Sequence, residues 1–332
     1  MDDAIGEQAT EEVVGHSEIR VGISTCLLGQ EVRFDGGHKR DPFVTNQLAQ
    51  YVRFVPVCPE VELGLGTPRE AIRLVDRKDG EGTRLVGTRS GKDITDAMRA
   101  YSDDRVSGLA EYDLGGYILK KDSPSCGLFR VRRYNDKDIP ERNGRGLFAE
   151  ALCAANPLLP VEEEGRLHDP RLRENFIERL FAYRRLKDLF ESDWTVRDLM
   201  AFHAREKMLL TAHDPRSARD LGRLAARAKD MPPEEVADGY AHGFMEAMGR
   251  IATARKHTNV LQHLAGHFKK KLDRAGRGEL ASVIEDFHRG LVPLVVPITL
   301  IRHYVRLFDD AYLAGQTYLA PHPKELMLRN HC

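Results

Sequence analysis

The sequence predicts an α/β domain built on a parallel sheet, with the three layers of a Rossmann-like fold, followed by an all-α domain. In the first half, short apolar runs alternate with helical patterns, as in a parallel sheet with helices on its faces. In the second half, the strand signals stop near residue 157 and long amphipathic patterns follow. The chain has 332 residues, which is long for one domain and sufficient for two.

Each element of the first half rests on a local pattern. Three mainly apolar runs predict buried core strands at 19–24, 52–57 and 114–119. Two shorter runs, at 72–75 and 83–86, flank the turn sequence DGEG and predict a hairpin. Helical spacing predicts helices over 42–51 and 93–109, and the sequence GLFAEALCAAN is also helical. Strand, helix and strand therefore alternate along this half.

The second half begins with 157–168, which we interpret as a linker or a first packing segment. Thr195 is a good helix N-cap, with Asp198 three residues later and an amphipathic run beyond it. Further helical patterns cover 217–229, 233–254 and 301–313. We therefore predict an acidic disordered tail over residues 1–18, an α/β domain over 19–158 and a helical domain over 159–332.

Composition and charge exclude several classes of protein. The first 18 residues carry six acids and no Lys or Arg, unlike a signal peptide. The longest apolar run, 291–301, contains two prolines and is too short to cross a membrane. Five widely spread cysteines do not form a disulfide framework. We expect a soluble, cytoplasmic protein whose thiols stay reduced and can bind metals.

Three of the cysteines follow predicted core strands directly. Cys26, Cys58 and Cys126 lie in the loops STCLLG, PVCPE and DSPSCG. Because ligands bind at the carboxyl ends of parallel strands, the three thiols can converge on one point. They can hold an iron–sulfur cluster with one iron lacking a protein ligand, or a metal site with an open position. The alternative is that each cysteine is a small buried apolar residue, which is our interpretation of Cys153.

Several motifs resemble one known family. STCLLG, VRFDGGHKR, CPEVELGLGTPRE and SPSCG resemble the thiouracil desulfidase (TudS-like) family over about residues 19–158. AFHAREKMLLTAHDP, LGRLAA and the ending YLAPHPKELMLRNHC resemble the helical domain fused to it in longer members. The two-domain arrangement is similar to the RudS-type desulfidases, which remove sulfur from 4-thiouridine in tRNA.

The resemblance implies a cofactor and two catalytic residues. It implies a 4Fe–4S cluster bound by Cys26, Cys58 and Cys126, with the fourth iron open to the thiocarbonyl sulfur of the substrate. It implies a catalytic carboxylate at Glu60, in CPE, and a catalytic hydroxyl at Ser123, in SPSC. The residue types agree with this chemistry, because a soft thiocarbonyl sulfur suits iron that is already bound by sulfur. Glu60 can then carry a proton for the water that replaces the sulfur.

Two glycine-containing loops contribute candidate substrate contacts. The loop FDGGHKR can cradle a phosphate or a base edge, although a tight turn explains it equally well. The loop GLGTPR has Arg69 in place of the third glycine of a dinucleotide fingerprint, so we expect no nicotinamide cofactor. The residues that we expect to contact substrate are Arg33, Asp35, His38, Arg69 and Ser125.

The helical half carries a basic stretch that predicts an RNA contact. Between residues 250 and 277 there are eight basic residues and one acid. They are Arg250, Arg255, Lys256, Lys269, Lys270, Lys271, Arg274 and Arg277. Such a patch is typical of binding to a phosphate backbone, although a solvated helix face is the alternative. We interpret the histidines of the same stretch as polar-face or RNA-contacting residues rather than as a zinc site.

Four functions remain open at this point. The leading hypothesis is a tRNA 4-thiouridine desulfidase, and the first alternative acts on free thiouracil or thionucleosides. A second alternative is a nucleic-acid-binding accessory protein whose cluster or zinc is only structural. A third is a persulfide sulfurtransferase that uses Cys126 as its nucleophile. The sequence does not determine the oligomeric state.

Overall fold

A computed structural model describes residues 19–76 and 82–330. Within them the strands are β1 (Ile19–Ser24), β2 (Val52–Val57), β3 (Ile72–Asp76), β4 (Thr83–Gly87), β5 (Leu114–Leu119), β6 (Val131–Tyr134), β7 (Pro140–Gly144) and β8 (Val161–Glu163). The helices are α1 (Pro59–Glu62), α2 (Thr95–Leu109), α3 (Leu147–Ala155), α4 (Pro170–Phe190), α5 (Val196–His213), α6 (Pro215–Arg227), α7 (Pro233–Met248), α8 (Ala254–Gly266), α9 (Arg274–His288), α10 (Val295–Leu307) and α11 (Ala311–Ala314). The predicted tail, 1–18, and Cys332 lie outside the described residues.

The first sheet is parallel throughout and has the order β2-β1-β5-β8. Its three predicted core strands, β1, β2 and β5, are confirmed at the predicted residues. Every residue of β5 is buried, which explains why this strand is apolar along its whole length. Because these three strands are parallel neighbours, their carboxyl ends lie at one edge of the sheet.

The fourth strand, β8, lies where the sequence predicts no strand, within the predicted linker and beyond residue 158. The strand was missed because two of its own residues, Glu162 and Glu163, and the residue after it, Glu164, are acids. All three are buried. The Glu163 carboxylate accepts hydrogen bonds from the amides of Leu128 and Phe129, at 2.8 and 3.0 Å. The loop after β5 therefore supplies hydrogen-bond donors to this buried carboxylate.

A second sheet has the order β4-β3-β6-β7. It contains the predicted hairpin strands β3 and β4, which pair antiparallel, while part of their DGEG turn lies outside the described residues. The strands β6 and β7 were not predicted. Four of the five residues of β7 are exposed, and the sequence of this edge strand has no apolar alternation to reveal it.

The helices differ from prediction mainly at their ends. The predicted helix at 42–51 is instead a π-helical turn, Phe43–Gln47, followed by a 3₁₀ turn, Leu48–Gln50. The capping box of Thr195 and Asp198 is confirmed at the start of α5. The helix predicted over 233–254 ends at Met248, because Thr253 caps the start of α8. The pattern at 301–313 is divided between α10 and α11.

The two halves share a core across the first sheet. On one face, β1 packs against α4 through a cluster that includes Phe176, Ile177 and Leu180. A Cβ atom at Gly116 of β5 would lie 2.1 Å from a methyl carbon of Leu180, so glycine permits this close approach. Phe148 and Leu152 of α3 cover the other face. The predicted three layers are confirmed, and the first helix of the helical half supplies one of them.

The rest of the second half is helical, as predicted, with its own large core of residues from α5 to α11. The chain then returns to the first half, where Leu326 and Leu328 join the core beneath β1. In the described part of the chain, no helix combines the length and the apolar character needed to span a membrane.

Candidate active site

The three predicted cysteines converge at the carboxyl edge of the parallel sheet. Cys26 follows β1, Cys58 follows β2, and Cys126 lies in the loop after β5. All three line one cavity of about 440 Å³, together with Glu60 and Ser123. The sequence therefore brings the predicted ligands and the predicted catalytic residues to one place. Cys153 does not line this cavity and lies instead on α3, against the core.

Local hydrogen bonds fix each cysteine-bearing loop. The carbonyl of Cys26 accepts from the Lys39 amide at 2.9 Å, which holds the loop after β1 against the following segment. Cys58 caps α1: its amide donates to the Glu62 carboxylate at 3.0 Å, and its carbonyl accepts from the Glu62 amide at 2.9 Å. The loop of Cys126 packs on Gly146, where a Cβ atom would lie 2.4 Å from the Ser125 carbonyl oxygen.

Burial controls the protonation of the thiols. It raises the pKa of Cys26 to about 11 and also raises the pKa of Cys58. Burial likewise raises the pKa of Cys126, against the opposing hydrogen bond from Ser24. Without a bound cation these groups are neutral thiols at pH 7 and weak nucleophiles. This disfavours the persulfide mechanism at Cys126.

The spacing of the sulfur atoms distinguishes two kinds of metal site. Among the described residues, the set of three ligand atoms that lie within 4.8 Å of one another is Glu174, Glu178 and His322, not the cysteines. A single tetrahedral zinc ion with bonds of about 2.3 Å would hold its thiolates about 4 Å apart. The cysteines are therefore too widely spaced for one ion in this arrangement. Three thiols around a cavity, two of them buried and that of Cys58 half-buried, suit a larger iron–sulfur cluster.

Glu60 lies at the centre of a hydrogen-bond network beside the cysteines. Its Oε2 accepts from Arg69 Nη2 at 2.9 Å and lies 3.8 Å from the sulfur of Cys58. Its Oε1 accepts from the hydroxyls of Ser125 and of Ser123, the latter at 3.4 Å. The side chain of Glu60 is only 14% exposed. One carboxylate thus has a cation on one oxygen and two hydroxyls on the other.

The two serines have different positions. Ser123 lines the cavity, and its Oγ accepts from the amides of Ser125 and Cys126 at 3.3 and 3.1 Å. With these acceptor positions occupied, its hydroxyl proton is directed towards Glu60. Ser125, predicted to contact substrate, is fully buried and does not line the cavity. Its hydroxyl is committed to Glu60, so we assign it a positioning role.

Arg69 lines the cavity and also has a structural role. Besides Glu60, its guanidinium donates to the carbonyls of Val32 and Gly66, at 2.8 and 2.9 Å. These three contacts use three of its five N–H donors. The side chain, only 6% exposed, therefore fixes Glu60 to the loop that bears Val32.

On the desulfidase hypothesis of the sequence analysis, we expect Arg69→Lys to lower kcat by about 10- to 100-fold without changing the iron content, because lysine cannot make the three contacts together. The measurement is kcat and KM on a thiopyrimidine, with the iron content per chain. Arg105→Lys is the matched control, since Arg105 pairs with Glu62 of the same helix α1 at 2.9 Å, outside the cavity. Equal losses in both variants would contradict a specific role for Arg69.

Only part of the segment VRFDGGHKR lines the cavity. Arg33 and Phe34 line it, whereas Asp35 and His38 do not. Asp35 accepts from the Gly37 amide at 3.1 Å, and this bond lowers the pKa of the carboxyl group. His38 Nδ1 accepts from the Arg40 amide at 3.2 Å. Asp35 and His38 therefore stabilise a tight turn, which agrees with the alternative explanation of this loop given by the sequence.

Sequence reasoning missed several cavity residues. Lys39, Lys120 and Lys121 add positive charge to the lining. Ser24, at the last position of β1, accepts from the Lys120 amide at 3.0 Å and hydrogen-bonds Cys126. The polar ending of an otherwise apolar strand was the available signal for Ser24. Nothing in the local pattern marks the lysines, since the fold alone brings their loops together.

The predicted basic patch divides into two groups at opposite ends of α8. Arg250, Arg255 and Lys256 lie near its start, whereas Lys269 to Arg277 lie beyond its end, about 20 Å away along the helix axis. Arg250 pairs with Asp214 and Glu246, and Lys271 pairs with Asp310. Exposed side chains remain at Lys269, Lys270, Arg274 and Arg277. The second group is therefore the stronger candidate surface for RNA.

The histidines of this stretch do not act as one group. His257 is buried and hydrogen-bonds the Tyr318 hydroxyl at 3.0 Å, so it is not a surface contact. His263 and His267 are exposed, with ring centroids 5.8 Å apart. His267 stacks on Tyr312, with centroids 5.5 Å apart.

The fold and the site together define a class of protein: a parallel α/β domain with thiols and a positioned carboxylate at its carboxyl edge. The model of a family described as 2-thiouracil desulfurase matches residues 21–164, and that of the family DUF1722, of unknown function, matches residues 207–323. Two bacterial relatives each match over about half of the chain. This chain belongs to the 2-thiouracil desulfurase family, and it carries a DUF1722 region after the desulfurase region.

The relatives and one solved structure are each shorter than this chain. The uncharacterized protein YbgA of Escherichia coli is 33% identical over 164 residues, which are 48% of this chain and 95% of that protein. The uncharacterized protein YbbK of Bacillus subtilis is 32% identical over 147 residues, 43% of this chain and 95% of that protein. The structure of the 4Fe–4S-dependent thiouracil desulfidase TudS is 31% identical, covers 46% of this chain and 95% of its own, and has a TM-score of 0.36.

Proposed function

We propose that this protein removes sulfur from a thiolated pyrimidine, exchanging C=S for C=O without electron transfer. Water supplies the oxygen, and the sulfur leaves as sulfide with the two protons of that water. The observation that carries the proposal is the meeting of three thiols with the Glu60 network in one cavity. Membership of the 2-thiouracil desulfurase family supports the same chemistry.

We infer that Cys26, Cys58 and Cys126 hold a 4Fe–4S cluster. The donor set fits: three thiols at the ends of adjacent strands, spaced too widely for one ion, are able to bind three corners of such a cluster. When bound, the cluster supplies an iron without a protein ligand that can act as a Lewis acid towards the thiocarbonyl sulfur. Reduced thiols of this kind fit a cytoplasmic location.

The protein's own side chains then orient and activate water. Arg69 pairs with Glu60 and fixes its orientation, and this carboxylate is placed to accept a proton from water at the carbon that loses sulfur. Ser123, 3.4 Å from Glu60 and exposed to the cavity, is positioned to hydrogen-bond that water or the pyrimidine ring. Phe34, which is 43% exposed, offers a flat apolar surface at the same cavity for a pyrimidine.

We propose 4-thiouridine in tRNA as the substrate. Two observations support a polyanionic substrate over a free base. The cavity is lined by the cations Arg33, Lys39 and Lys121, in addition to Lys120 and Arg69, which pair with Glu164 and Glu60. The helical half exposes Lys269, Lys270, Arg274 and Arg277 beyond the end of α8. Both surfaces suit contact with a phosphate backbone.

The alternatives make different predictions. An enzyme for free thiouracil or thionucleosides has no use for the exposed basic group. A nucleic-acid-binding accessory protein would tolerate the loss of Glu60. Deletion of residues 160–332 is not a clean test between them, because it removes β8 and α4 and exposes a face of the sheet. Surface charge substitutions leave that core intact and are the better experiment.

We therefore expect a triple variant, Lys269→Gln, Lys270→Gln and Arg274→Gln, to lower kcat/KM on thiolated tRNA by at least about tenfold at physiological salt. Activity on free 4-thiouracil should stay within about twofold of the wild type, because the cavity is unchanged. The measurement is the loss of thiocarbonyl absorbance together with sulfide release, under anaerobic conditions.

The matched control removes three exposed arginines from α6, as Arg216→Gln, Arg219→Gln and Arg223→Gln. It changes the net charge equally and should leave activity on tRNA nearly unchanged. Activity confined to free thiopyrimidines in the wild type would favour the first alternative. An equal loss in both triple variants would show a general charge effect and contradict a specific RNA surface.

A further inference from the structure

A second cluster of metal-ligating side chains lies outside the cysteine cavity. Glu174 and Glu178 stand one turn apart on α4, and His322 approaches them from the segment near the end of the chain. One oxygen from each carboxylate and one ring nitrogen of His322 lie within 4.8 Å of one another. Glu174 and Glu178 are both buried. Neither the proposed desulfuration nor the proposed RNA contact uses these residues.

The orientation of His322 points to a ligand. Its Nδ1 lies 3.1 Å from the Pro323 carbonyl oxygen, which can only accept, so Nδ1 carries the proton. Its Nε2 therefore presents a lone pair. Among the residues that the structure describes, this buried nitrogen has no hydrogen-bond partner. A buried acceptor without a donor is costly, which indicates that another species occupies the position.

His213, the last residue of α5, holds Glu178 in place. Its Nδ1 donates to the Arg250 carbonyl at 2.6 Å, and its Nε2 lies 3.1 Å from Glu178 Oε2. His213 is not one of the three residues whose ligand atoms lie within 4.8 Å of one another, so it orients a carboxylate ligand and does not itself bind the ion.

The charges and the space permit a cation. Arg329 Nη2 donates to Glu178 at 3.0 Å, and Arg329 Nε lies 3.7 Å from Glu174, so one buried cation faces two buried carboxylates. A carboxylate has four lone pairs, and the contacts with Arg329 and His213 use two of those of Glu178. A cavity of about 100 Å³, lined in part by Glu174, Glu178 and His213, leaves room for water beside them.

We propose that Glu174, Glu178 and His322 bind one divalent transition-metal ion, with His213 as a positioning residue for Glu178. Imidazole and carboxylate ligands suit Zn²⁺, Mn²⁺ or Fe²⁺. The site joins α4, which covers the parallel sheet, to the end of α5 and to the segment that carries Leu326 and Leu328 back to that sheet. The ion thereby fastens the end of the chain to both halves of the molecule.

The test is an anaerobic titration of full-length, cluster-loaded protein, first cleared of loosely bound metal, with Mn²⁺. Free Mn²⁺ is counted by its EPR signal, and this hard ion avoids the thiol site. We expect one bound Mn²⁺ per chain. His322→Asn and Glu174→Gln should each weaken binding by at least about tenfold, with the iron content of the cysteine site unchanged.

The control is His242→Asn, on an exposed residue of α7, which should bind Mn²⁺ as the wild type does. A wild type that binds no Mn²⁺, or variants that bind it as tightly as the wild type, would overturn the proposal and leave a buried ion-pair network. If a variant unfolds, the wild type still decides: its melting temperature should rise on adding Mn²⁺ or Zn²⁺, and no rise contradicts the site. None of these results depends on desulfidase activity.

Discussion

Replacing Glu60 by Gln is expected to lower the rate of sulfur release by about 10²- to 10⁴-fold while the iron–sulfur cluster remains bound. Glutamine has the shape of the carboxylate and can still accept a hydrogen bond from Arg69, but it cannot take a proton from water. The Glu60 side chain is largely buried and receives two serine hydroxyls, so no nearby group replaces it. The measurement is single-turnover sulfide release with the iron content determined in parallel.

Glu70→Gln is the matched control for this experiment. Glu70 lines the same cavity, but its carboxylate is held by the Ser90 hydroxyl and by the amides of Arg89 and Ser90. These hydrogen bonds hold its pKa below the usual range of a glutamate, so it is a poor proton acceptor. Its replacement should cost less than about tenfold. A Glu60→Gln variant that retains full activity would indicate an accessory protein rather than an enzyme.

Replacing Cys126 by Ser is expected to abolish both the cluster and the desulfidase activity, leaving less than about 1% of the wild-type rate. Cys126 is the most deeply buried of the three thiols, and a serine hydroxyl is a poor ligand for iron in a sulfur-rich site. With one of three protein ligands lost, the cluster has too few attachments to persist. Iron, acid-labile sulfide and the visible absorbance of the anaerobic protein report the loss.

Cys153→Ser is the control, because Cys153 lies on α3 and does not line the cavity. It should keep full cluster content and activity. A Cys126→Ser variant that retains four irons per chain would show that this residue is not a ligand. Loss of the cluster in the Cys153 variant as well would point instead to general instability of the α/β half.

The sequence revealed the strands that are mainly apolar. β5 is apolar throughout, and β1 and β2 are each interrupted by one arginine, so both their positions and the convergence of the cysteines after them were predictable. The strand β8 escaped because its buried glutamates look like a surface segment. Their burial depends on amides of the loop after β5, which no local pattern reports.

The sequence predicted the candidate metal ligands and the two catalytic residues better than the residues that surround them. Glu60 and Ser123 belong to short motifs beside the cysteines, whereas the role of Arg69 depends on a carboxylate that only the folded chain brings within 2.9 Å. Ser125 was expected at the substrate and is instead buried against Glu60. The eight basic residues looked continuous in sequence, but a 13-residue helix separates them into two groups. In each of these cases the role of a residue depends on its neighbours in the folded chain, which the composition of the sequence does not reveal.

The most direct test of the account uses the Glu60→Gln variant loaded anaerobically with ⁵⁷Fe and mixed with 4-thiouracil or thiolated tRNA. Its Mössbauer spectrum, recorded before and after mixing, reports each iron separately. The account predicts four irons per chain, one of which changes its signal when the thiocarbonyl compound is added and not when uridine is added. A protein without iron, or a cluster whose four irons are all unaffected by the thiocarbonyl compound, would contradict it.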